Sequence, residues 1–235
     1  MKVLILINKV GLGDCIIHLN YIHEISKKYE KPVSILAKEN TRAKDLFQDD
    51  PHIKEVITLD RLEDETGSHD GLNGFIKLIK DIKEKKFDKV FIFNSSVRYF
   101  LVCKFAGIKK IAQYPLFKKK GQHVVNTAKI FTENEIDKIV STQPKLFVNQ
   151  DKILKAQKNM SLNNKCIVLG ISASGPTKRW EIKNFIKLSE KINQKFPSKF
   201  YLAAGKNDQS LINEISNSNI GSNCISLNNL KINEM

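Results

Sequence analysis

The chain has 235 residues, 41% hydrophobic and 27% charged, which suits two small soluble globular domains, each able to bury a core. No apolar run approaches the length of a membrane span, and the run Val3 to Ile7 is too short for a signal-peptide core, so the expected location is the cytoplasm. A formal charge of +14, from 39 basic against 25 acidic residues, draws the protein toward anions: nucleotides, nucleic acid or an acidic membrane leaflet.

Lys2 to Ile7 reads as a strand buried on both faces of a parallel sheet. Gly11-Leu-Gly-Asp14 follows, then a helix to about Tyr29 whose apolar positions Ile17, Tyr21, Ile22 and Ile25 share one face. Pro32 ends that segment, Val33 to Ala37 is the second strand, and a short helix spans Ala43 to Phe47. A third strand, Val56 to Leu59, leads into a polar stretch, Asp60 to Asn73, that reads as a mobile surface loop. Phe75, Leu78, Ile79 and Ile82 mark an amphipathic helix, Asp88 to Phe93 a fourth strand ending in Asn94-Ser-Ser96, and Val97 to Phe105 a further helix. A strand near Lys109 to Gln113 and a helix over Val124 to Phe131 complete the first half. The strand-helix alternation predicts an α/β architecture with an open, doubly wound parallel sheet.

Residues 149–164 are polar and read as a linker, which separates domains at 1–150 and 165–235. The alternation then restarts: strand 166–171, helix 181–195, strand 199–204, helix 208–216 and a strand near Asn223 to Leu227. A second sheet of three strands looks incomplete. Of the lysine clusters, Lys83 to Lys86 reads as a solvated helix face and Lys118 to Lys120 as a loop facing membrane or acceptor. Neither has interleaved aromatics or arginine, which disfavours a nucleic-acid partner. Cys15, Cys103, Cys166 and Cys224 form no C-x-x-C pair and read as buried thiols; the five histidines lack ligand spacing and read as structural or exposed.

Ligands of doubly wound sheets sit beyond the carboxyl ends of the strands. Gly11-Leu-Gly-Asp14 occupies that place, but Ile16 stands where a dinucleotide fingerprint needs glycine, and no G-K-[ST] phosphate loop occurs. Asp14 opens a helix, as an N-cap or as a general base for a substrate hydroxyl. No D-x-D pair suggests a metal-diphosphate site. In the second half, Cys166 to Ile171 runs through the small residues Ser172 to Thr177 to Lys178-Arg-Trp180 at the head of a helix. This is either an ordinary strand-turn-helix or a phosphate cradle of backbone N–H groups with an added lysine charge, Trp180 wedging the first turn against the sheet.

Gly13-Asp-Cys-Ile-Ile-His-Leu19, Gly170 to Trp180 followed by Phe185, and Phe200 to Asp208 resemble the signature regions of the ADP-heptose:lipopolysaccharide heptosyltransferases, family 9 of the glycosyltransferases. The resemblance runs nearly end to end. It implies a GT-B fold of two Rossmann-like domains and metal-independent, inverting transfer of a sugar from a nucleotide-sugar, ADP-heptose, to a lipopolysaccharide-type glycolipid at the inner membrane surface, with no cofactor. Carried over, Asp14 is the catalytic base. Ser172, Ser174 and Lys178 hold the donor diphosphate, Asp208 lies near the ribose, and Gly13, Ser95, Ser96 and Arg98 face the acceptor, helix capping being the other reading of Ser96. The family's Asp-Thr-Gly-x-x-His type segment is missing, so the expectation is a C-terminally truncated member that binds donor weakly. The alternative is a noncatalytic nucleotide- or partner-binding protein on the same scaffold.

Overall fold

The computed structural model describes residues 1–8, 11–62, 66–115, 123–160, 164–173, 175–205 and 207–234. They form two compact units, Met1–Phe147 and Val148–Met235.

In the first unit, strands β1 (Val3–Ile7), β2 (Val33–Lys38), β3 (Ile53–Leu59), β4 (Lys89–Ile92) and β5 (Lys110–Gln113) form a parallel sheet of order β3-β2-β1-β4-β5. Every residue of β1 is buried, as an uninterrupted Val-Leu-Ile run at the centre of a sheet covered on both faces requires. Leu4 and Leu6 join Val90 and Ile92 in a cluster under Leu78 and Ile82 of α3 (Gly71–Lys85) and Tyr99 and Val102 of α4 (Val97–Phe105). On the other face, α1 (Leu12–Lys28) packs beside α5 (Val124–Ile136), where Phe91, Phe93, Tyr114 and Phe131 meet edge to face. The chain order reverses between β1 and β4, so the carboxyl ends of these two strands flank the place where sheets of this type bind ligands. The unit ends on Phe147, edge-on to His23 and His52, with His23 Nε2 2.7 Å from the Asp50 carboxylate.

Three expectations change, and a fourth lies outside what the structure describes. The polar stretch after β3 is pinned through its described residues: the Asp70 carboxylate accepts from Arg61 Nε at 2.7 Å and from the N–H groups of Leu62 and Gly67. The stretch read as a linker is helical, α6 (Gln150–Asn159), with Asn149 Oδ1 capping it by accepting the Asp151 N–H at 2.8 Å; the boundary between units falls just before it. Cys15 and Cys103 are buried, but Cys166 and Cys224 are only half-buried. The lysines at 118–120 lie outside the described residues.

The second unit is a parallel sheet of β6 (Lys165–Gly170), β7 (Ser198–Ala203) and β8 (Cys224–Ser226), three strands among the described residues. One face is closed by α7 (Ile182–Lys195) and α8 (Gln209–Ser216), which bury Leu169, Phe200 and Leu202 with Ile182, Ile212 and Ile215. The opposite face is partly covered by α6, leaving a groove of about 190 Å³ between Ala156, Met160, Val168, Tyr201 and Leu230.

Candidate active site

The turn from β1 into α1 places Asp14 in the third helical position, with Gly11 as N-cap. Asp14 is therefore one turn further in than an N-cap. Its Oδ2 reaches back to accept the Gly11 N–H at 3.2 Å, the acidic half of a capping box. That bond fixes the carboxylate on the opening turn, while Oδ1 takes no hydrogen bond among the described residues. His18, one turn on, donates from Nδ1 to the Asp14 carbonyl at 2.6 Å and packs edge-on to Phe93, tying the start of α1 to the sheet. Gly13 is exposed, and a Cβ added to it would meet nothing within 4 Å, so its own surroundings do not demand glycine.

The end of β4 lies alongside. Asn94 Oδ1 accepts the Ser96 N–H at 2.8 Å, so the asparagine caps α4 and Ser96, at the N-cap position, makes no side-chain cap bond. The orientation of that amide follows, because only its oxygen can accept from a backbone N–H; its Nδ2 is buried without a partner among the described residues. Ser95 is exposed. Arg98 is committed to scaffold: its Nη2 donates to the carbonyls of His69 and Gly71, both at 2.9 Å, and its guanidinium lies over Phe75. Gly13, Asp14 and Ser95 are thus presented, whereas Arg98 braces the start of α3.

In the second unit, Lys178 is exposed at the end of a separate 3-10 turn, Pro176–Lys178, before α7 begins at Ile182 with Glu181 as its N-cap. Trp180 packs edge-on to Phe185 of α7 and is 51% exposed, so it braces the helix rather than the sheet. Ser172 Oγ donates to Asp208 Oδ2 at 2.5 Å, and Arg179 Nη2 donates to Asp208 Oδ1 at 3.1 Å while its Nε donates to the Ala173 carbonyl at 3.1 Å. Asp208 caps α8 by position, its N–H bonded to the Gly205 carbonyl. Gly205 lies close by: a Cβ there would sit 3.0 Å from Asp208 Oδ2. Ser174 lies outside the described residues. Sequence reasoning missed Arg179, although one signal was available: the chain has four arginines among 39 basic residues, and arginine is the residue that bridges two acceptors at once.

A family model, glycosyltransferase family 9 (heptosyltransferase), matches residues 75–227, well over half of the chain. The chain belongs to glycosyltransferase family 9. No curated protein sequence matches it. Among solved structures, this family 9 chain is similar to E. coli ADP-heptose LPS heptosyltransferase II at 19% identity and TM-score 0.74, over 100% of its own length and 75% of the other's. A family 9 glycosyltransferase from Veillonella parvula aligns at 16% identity and TM-score 0.71, over 92% of this chain and 66% of that one. E. coli heptosyltransferase WaaC with ADP aligns at 11% identity and TM-score 0.66, over 99% and 76%. These likenesses establish the fold, GT-B with two Rossmann-like parallel-sheet units. Among the described residues no helix is long and apolar enough to cross a membrane, and no group of three His, Cys, Asp or Glu is placed to hold a metal ion.

Proposed function

We propose that this family 9 chain transfers a sugar, a heptose or a close relative, from a nucleotide-sugar to a hydroxyl of a lipopolysaccharide-type glycolipid, with inversion and without a metal. The reading rests on Asp14, a carboxylate held by one oxygen on the first turn after the central strand with its other oxygen free among the described residues. Asp14 takes the proton of the acceptor hydroxyl as that oxygen attacks the anomeric carbon. The bond from that carbon to the diphosphate breaks, and the nucleoside diphosphate leaves with the electron pair.

Lys178, with backbone N–H groups of its loop, is the group suited to the charge developing on the leaving diphosphate. Ser172 gives its hydroxyl proton to Asp208 and so supports the loop beside the donor diphosphate; Asp208 offers a ribose the lone pairs that Ser172 and Arg179 leave. Ser174 keeps the donor role that the family resemblance implies. Gly13, Ser95 and Ser96 serve the acceptor, and Arg98 serves it by bracing the turn. The nucleotide preference is for ADP, which a structural neighbour binds, and the basic charge favours peripheral docking on the cytoplasmic face of the inner membrane.

Asp14→Asn tests the base directly, because the amide oxygen can still accept the Gly11 N–H. Sugar transfer at saturating donor should fall by about 100-fold or more, the range for loss of a general base, with the melting temperature unchanged. Transfer at the wild-type rate, or a variant that simply unfolds, would reduce Asp14 to a capping residue.

A further inference from the structure

Two turns of the second unit, β6 to α7 and β7 to α8, are joined by one carboxylate. Asp208 accepts from Ser172 and Arg179, its side chain only 14% exposed, and a Cβ on Gly205 would come within 3.0 Å of its Oδ2. A carboxylate at the base of a loop meant for a diphosphate is a liability, since its charge repels the ligand. Arg179 answers this by lying next to Lys178 in sequence yet donating to Asp208 and to the Ala173 carbonyl.

We infer that Arg179 is a positioning residue for the donor: it cancels the charge of Asp208 and locks the loop carrying Lys178, without itself contacting phosphate. The inference rests on the donor-binding role proposed for this unit. The planar guanidinium spans a backbone carbonyl and a carboxylate from two different nitrogens in one fixed geometry. With Asp208 neutralised, Lys178 has no ion-pair partner among the described residues and can meet an anion. Removing Arg179 therefore does more than loosen a loop; it exposes a negative charge where phosphate must sit. Removing that charge as well should restore binding.

Calorimetric titration of the whole chain with ADP tests this. Arg179→Ala should bind ADP about 10-fold more weakly, the scale of one lost charge-assisted contact, and the double variant Arg179→Ala with Asp208→Asn should recover to within about 3-fold of wild type. The deficit of the single variant should shrink as salt is raised, because repulsion between partly exposed charges is screened. Should Arg179→Ala fail to fold, Arg179→Gln keeps a donor of similar reach without the charge and should show the same rescue. A single variant that binds ADP like wild type, or a double variant no better than the single, overturns the inference and leaves the donor role standing. A wild-type chain that binds neither ADP nor UDP, GDP or dTDP overturns the donor role itself, and the inference with it.

Discussion

The candidate residues for the chemistry are legible by their position relative to a strand end. Asp14 and Lys178 can be picked out because each follows an apolar run, Asp14 after a glycine-containing turn and Lys178 after a turn of small residues. The way each is held could not, since the Gly11 amide that Asp14 accepts and the 3-10 turn that carries Lys178 depend on backbone geometry. Arg179 was hidden for a different reason: its partner, Asp208, lies a strand and a helix further along, and no local pattern joins them. The arginines make the point generally. Arg61 reaches Asp70 and Tyr99, Arg98 two carbonyls, Arg179 a carboxylate and a carbonyl, each a task for a planar fork in a chain otherwise supplied with lysine. Gly13 is the opposite case, a helical glycine with empty space around it. Gly13→Ala should stabilise the first turn by up to about 1 kcal/mol, read as a raised melting temperature, while lowering transfer to the acceptor. A variant with unchanged acceptor turnover would show that nothing approaches the backbone there.

At the scale of elements, the parallel strands and their crossover helices were visible because buried parallel strands are continuous apolar runs and helices show a 3.6-residue period. Two stretches depart from expectation for one reason: polarity does not imply a loose backbone. Residues 149–164 are polar because α6 has no buried residue, yet Asn149 caps a regular helix there. The stretch after β3 is polar because it builds a network: Asp60 donates its N–H to His69 Nδ1, His69 Nε2 donates to Asp81, and Asp70 gathers Arg61 and two backbone N–H groups. Burial pushes the Asp70 carboxyl up, but Arg61 and the N–H groups of Leu62 and Gly67 outweigh it and hold the carboxyl below the ordinary carboxylate range. A depressed folded pKa gives stability that is complete above the unfolded value, about 4, and is lost as the pH falls through the folded one. Asp70→Asn should cost about 1–3 kcal/mol at neutral pH and flatten the acid limb of the stability profile, measured by denaturant unfolding from pH 7 to 2. An unchanged acid limb would mean that other carboxylates set it. Gly74 shows how tightly α3 sits on this stretch, a Cβ there falling 2.2 Å from the His69 carbonyl carbon, so Gly74→Ala should be destabilised by about 2 kcal/mol or more.

For the molecule as a whole, composition gave the class, the break in alternation gave two units, and family membership explains why each unit repeats the same strand-turn-helix logic with different residues at its turn. Under the proposed function, the first unit would supply the carboxylate of Asp14 and the second the lysine at 178, a division of labour suited to moving a sugar from a charged donor to a hydroxyl. The lysines that make up the excess of positive charge are spread along the whole sequence. The most direct test of that division is calorimetric titration of ADP into the wild type, Asp14→Asn and Lys178→Ala. The account predicts that Asp14→Asn binds as the wild type does and that Lys178→Ala binds about 10-fold or more weakly, the scale of a charge-assisted hydrogen bond. Equal affinity in wild type and Lys178→Ala, or loss of ADP binding in Asp14→Asn, would contradict it.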